Sequence, residues 1–148
     1  MQCVRGGFFM TIELTNKEFR RLLDLVYIGN WILNSTREND RFEDYDLLEE
    51  KIFAICKQQG MKSLIQVVDG RIYPSRAYEE GGIHEAIADY EDAVFFEILA
   101  EELARRDMDY EDIGPDKPDK FDELTTRMDS YMAEFEKNGV ENVSVDNM

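Results

Sequence analysis

The chain has 148 residues, with 33 acidic against 17 basic side chains and a net charge of -16. That length suits about one domain, and the 43% hydrophobic and 11% aromatic content is too rich for a disordered acidic tail. The charge has the wrong sign for direct binding to nucleic acid or an anionic membrane, and no apolar run reaches the roughly 20 residues of a membrane span. With two cysteines and one histidine, a disulfide scaffold and a His-rich metal centre are both excluded.

The first nine residues, Met1 to Phe9, lack the features of a secretory signal. Arg5-Gly6-Gly7 can be encoded by a purine-rich tract of the kind that recruits ribosomes, and Met10 follows at the spacing of an initiator. Residues 1–9 are therefore expected to be a translated leader or a flexible extension of a bacterial or phage gene, with Met10 as the native start.

Thr11 to Leu14 reads as a short strand or an extended lead-in. Thr15-Asn16-Lys17-Glu18 is a capping box, and Phe19, Leu22, Leu23, Val26, Tyr27 and Leu33 follow at helical spacing. After a polar loop near 35–41, a second helix is expected from about Asp44 to Gln59, with Leu48, Ile52 and Ile55 on its apolar face and Gly60 as its stop. Glu49-Glu50-Lys51 in that helix reads as a solvated face.

The period changes at 64–73. Asp69-Gly70 between β-branched runs signals a tight hairpin, closed by Pro74. Gly81-Gly82 breaks the chain before a helix from about Glu91 to Asp107 that presents Val94, Phe95, Ile98, Leu99 and Leu103. Residues 109–118 form a loop, and a last helix runs from about Asp119 to Asn138, stopped by Gly139 and followed by a flexible tail over 139–148. The expected fold is α+β and predominantly α-helical, with about four to five helices and one small β-hairpin. Its main domain covers 10–108, and the C-terminal helix at 119–138 packs on that domain or on a partner. Phe121, Leu124, Met128, Tyr131 and Phe135 recur at three- and four-residue steps and form a candidate self-association stripe, so monomer and homodimer both remain open.

The chemical inventory is sparse. Asp107, Asp109 and Glu111 match the first positions of a Ca²⁺ loop, but Asp112 stands where the turn needs Gly, and Pro118 where a bidentate Glu is required. Cys56 has no neighbour that would activate it, and the lone His84 reads as a surface or helix-end residue. No catalytic residue, metal ligand or cofactor is assigned, and a metal-dependent enzyme or Ca²⁺-binding module is the disfavoured alternative.

Charge is the stronger lead. Residues 1–78 hold 11 acidic and 11 basic side chains, whereas residues 79–148 hold 22 and 6. Such asymmetry suits a surface for a basic protein partner. Glu91, Asp92, Glu101, Glu102, Asp109, Glu111 and Asp112 are the candidate contacts. The expected function is that of a non-enzymatic cytoplasmic protein acting through macromolecular contacts, with mimicry of nucleic acid toward a basic nucleic-acid-binding protein as the alternative.

Three runs carry a resemblance: Tyr27-Ile28-Gly29-Asn30-Trp31, Tyr73-Pro74-Ser75-Arg76 and the stretch from Phe95 to Asp107. Over about Leu14 to Met108 the chain resembles short acidic bacterial proteins of unknown function. The resemblance implies a bacterial origin and one compact domain, and it brings no activity or site.

Overall fold

The computed structural model describes residues 10–110, 113 and 116–144; the expected leader, Glu111 and Asp112 lie outside them. In chain order come α1 (Asn16–Asn34), α2 (Glu43–Ala54), β1 (Ile65–Val68), β2 (Arg71–Pro74), the one-turn α3 (Arg76–Tyr78), α4 (His84–Asp107) and α5 (Pro118–Asn138). The fold is thus mostly helical with one two-stranded antiparallel hairpin, as the periodicity implies. Residues cluster into an N-terminal unit up to His84 and a C-terminal unit from Glu85. The expected main domain over 10–108 includes α4, with the break at the loop over 109–118.

In the N-terminal unit the capping box forms as expected. Thr15 Oγ1 accepts from the Glu18 amide at 3.3 Å, and the Glu18 carboxylate accepts from the Thr15 amide at 2.8 Å. One face of α1 buries Phe19, Leu23, Tyr27, Asn30 and Asn34, a row stepping by three and four residues. After α2 the chain tightens into a 3₁₀ turn at Ile55–Lys57 and ends at Gly60, whose φ is +73°. The buried face of α2 differs from the expected one: Phe53 and Cys56 are fully enclosed, while Leu48 is exposed. Apolar residues at 47, 48, 52, 53 and 55 surround much of the helix, so spacing alone does not choose between them. Cys56 is buried as expected, and burial pushes its thiol pKa up.

Asp69 and Gly70, at φ 50° and 80°, make the two-residue turn, and Ile65 pairs with Pro74 across the hairpin. Glu50 fastens α2 to this hairpin by accepting from the Ile72 amide at 3.0 Å and Arg71 Nε at 3.1 Å. Ser75 donates its hydroxyl to the Ser63 carbonyl at 2.6 Å and caps α3 by accepting from the Tyr78 amide. The fully buried Tyr78 ring meets Phe53 edge-on at 5.1 Å and Tyr27 at 5.3 Å. Its hydroxyl donates to Asp24 at 3.0 Å.

α4 begins at His84, seven residues earlier than the spacing predicts, directly after a kinked segment whose Gly82 has φ 101°. Only glycine reaches that conformation without strain, which is why the break falls there. In the C-terminal unit Ala104 of α4 and Met108 just beyond it are buried with Leu124 of α5, and Ile113, Met128 and Tyr131 lie alongside. Phe96 packs on Phe135 at 5.5 Å. Phe95 and Ile98, expected to face the core, are exposed instead. Tyr131 donates its hydroxyl to Asp107 at 2.5 Å. Beyond Gly139, Asn142 Nδ2 donates to Glu134 at 2.5 Å; residues 145–148 of the expected tail lie outside the described residues.

Candidate functional site

The end of α1 and the start of α2 are joined by a buried polar network. Asn34, 1% exposed, donates to Asn30 Oδ1 at 2.8 Å, to the Phe42 carbonyl at 3.2 Å and to Asp46 Oδ1 at 3.3 Å. Its own Oδ1 accepts from the Phe42 amide at 2.9 Å. Asn30 donates to Asp46 at 3.0 Å, and Arg41 forks onto the same carboxylate at 2.6 and 2.9 Å. Arg41, and then the two asparagines, hold the Asp46 carboxyl below the usual range against the opposing effect of burial.

This network walls a cleft. A hollow of about 180 Å³ is lined by Tyr27, Asn30, Trp31, Asn34, Ser35, Arg41 and Glu49. A second, of about 410 Å³, is lined by Tyr27, Glu49, Gln66, Val68, Tyr73, Pro74 and Glu79. Tyr27 and Glu49 belong to both. The Tyr27 hydroxyl lies 2.9 Å from His84 Nε2, and the His84 ring stands edge-on to Trp31 at 4.9 Å. Tyr27 is pushed up to about 12 by burial and by the charges of Glu79 and Glu49. Glu49 is raised to about 7, chiefly by burial, with Asp46 and Glu79 adding repulsion that Asn30 and Arg41 only partly offset.

A carboxyl poised near neutrality beside a tyrosine, a histidine and amide groups can bind a cation or exchange a proton. Spacing along the chain hides this convergence, because it draws on α1, α2, β2, the 79–83 kink and the first residue of α4. The legible signal was Asn30 and Asn34 on the inward face of α1, where a polar side chain needs a partner. Glu49 and Glu50, taken as a solvated face, are both half-buried.

Linkage makes Glu49 testable. Its folded pKa lies above its ordinary value of 4.5, so the native state holds a proton between 4.5 and about 7 that the unfolded chain has lost. Stability therefore falls as pH rises through that window, and the penalty is complete above it. Glu49→Gln is expected to stabilise the N-terminal unit by about 1–2 kcal/mol near pH 8, discounted for partial solvent contact, and to change little near pH 4. Urea melts at the two pH values would show this; a pH-independent difference would remove the assignment.

The residues predicted as a partner surface lie elsewhere. Glu91, Asp92, Glu102 and Asp109 are exposed, and Glu101 is half-exposed and paired with Arg105. Glu91, Asp92, Glu102 and Asp109 have no ion pair among the described residues. Of the candidate stripe on α5, Leu124 and Phe135 are buried, Met128 and Tyr131 pack within the same unit, and Phe121 is 59% exposed. Among the described residues no three His, Cys, Asp or Glu side chains are placed to hold a metal ion, and no helix is long and apolar enough to cross a membrane. No protein-family model, curated protein or solved structure matches the chain.

Proposed function

We propose that the protein is a non-enzymatic, cytoplasmic binding protein whose C-terminal unit docks a basic protein partner. Residues 85–148 carry 20 acidic and 6 basic side chains, a balance of -14. The observation that carries the reading is the outer face of α4, where Glu91, Phe95, Ile98 and Glu102 follow one another at steps of four, three and four residues. Phe95 and Ile98 are 52% and 56% exposed. An apolar pair bracketed by free carboxylates suits an apolar patch rimmed by Lys or Arg on a partner. It suits a basic DNA-binding groove less well, since a phosphate mimic needs charge where Phe95 and Ile98 stand. The stripe on α5 is largely spent inside its own unit, which supports a monomeric binder.

Capture from the source cell at about 0.05 M salt, then washing at about 0.5 M, tests the electrostatic part of this reading. A basic protein retained at low salt and released at high salt is expected. Phe95→Ser with Ile98→Ser is expected to weaken its binding at least about tenfold without lowering the melting temperature, because both side chains are solvent-facing. Retention that ignores both salt and the double substitution would refute the proposal.

A further inference from the structure

We propose that the hollow lined by Tyr27, Glu49, Tyr73 and Glu79 binds a small organic cation bearing an aliphatic ammonium group, held by the two glutamates. Its volume of about 410 Å³ is within the range of small-molecule sites, and far larger than a bare ion needs.

The charge distribution selects the ligand class. Two carboxylates from separate elements line the hollow, and no lysine or arginine does. The nearby cations are engaged elsewhere: Arg71 with Glu50 at 3.1 Å, Arg76 with Glu80 at 2.6 Å, Arg41 with Asp46 at 2.6 Å, and Arg20 with Asp24. Glu49 and Glu79 have no ion pair among the described residues. An anionic ligand would meet repulsion, whereas an ammonium group relieves it.

The remaining lining fits an ammonium as well. Gln66 spends its Nε2 on the Pro74 carbonyl at 3.0 Å, which leaves its side-chain oxygen as a further acceptor. The Arg71 guanidinium lies 5.8 Å from the Tyr73 ring centroid, so that ring already faces one cation, and Val68 and Pro74 provide apolar surface for a short methylene chain.

Trp31, the chain's single tryptophan, lines the adjoining hollow and supplies the readout. The full chain is titrated near pH 8 and about 0.15 M salt with 1,4-diaminobutane, and in parallel with 1,4-butanediol, following Trp31 fluorescence and heat. Saturable binding of the diamine but not the diol is expected. Glu49→Gln and Glu79→Gln should each weaken it at least about tenfold, the scale of a lost charge-assisted hydrogen bond. Glu136→Gln, exposed on α5 in the other unit, should leave it unchanged.

Three results would each overturn the site: equal response to the diol, no saturation by about 10 mM diamine, or equal weakening by Glu136→Gln, which would mark general attraction to a polyanion. Thermal melts of each variant show that it remains folded, so a loss of binding is read as loss of the site.

Discussion

Phe53→Ala is expected to lower the stability of the N-terminal unit by about 3–5 kcal/mol, the range for removing a buried aromatic ring. Phe53 has no exposed surface, and its ring meets the equally enclosed Tyr78 at 89°. Tyr78 in turn abuts Tyr27 and donates to Asp24, so each ring is fixed by its neighbours and the cavity cannot easily collapse. Phe53→Leu, which keeps most of the volume, is expected to cost less, about 1–2 kcal/mol. Urea unfolding followed by Trp31 fluorescence isolates this unit, because the only tryptophan lies within it. A loss below about 1 kcal/mol for the alanine variant would show that Phe53 is not the keystone of this core.

Asn34→Ala is the second large effect, expected to cost about 2–4 kcal/mol although it removes only a small polar group. The alanine leaves the Phe42 amide without its acceptor and strips one donor each from Asn30, the Phe42 carbonyl and Asp46. The helix start that suffers has no side-chain cap of its own, since Phe42 stands at the N-cap of α2. Asn34 therefore does from the end of α1 what the Glu of a capping box does locally, accepting from the N-cap amide. Acid melts add a second readout. Asp46 has a lowered pKa, so its stabilising contribution is present above the ordinary carboxylate range and lost as pH falls through the folded value. Because Arg41 is the largest cause of that shift, Asn34→Ala should move the acid limb only slightly while lowering the whole curve. A large shift of the acid limb, or a cost under about 1 kcal/mol, would contradict the network as described.

How much of this was legible in the chain depended on how local the determining physics is. The Thr15–Glu18 box, the Asp69-Gly70 turn and the Gly139 stop are set by residues within a few positions of one another, and each stands where its residues imply. The inward faces of α2 and α4 were not readable in the same way. Both helices carry apolar residues around much of their circumference, and the choice was made by packing: Phe53 meets the Tyr78 ring, and Ala104 meets Leu124 of α5 while Phe95 and Ile98 stay exposed. The cleft was least legible. Its members come from positions as far apart as 27 and 84, and no spacing rule joins a tyrosine on α1 to a glutamate on α2 and a histidine opening α4.

Tyr27 occupies an unusual station among these residues. Its ring is part of the aromatic cluster that gives the N-terminal unit its solidity, while its hydroxyl faces His84 and its edge borders both hollows. One side chain thus answers to two masters, shape on one side and polarity on the other. A single oxygen atom separates those obligations, and phenylalanine at this position would satisfy the first while failing the second.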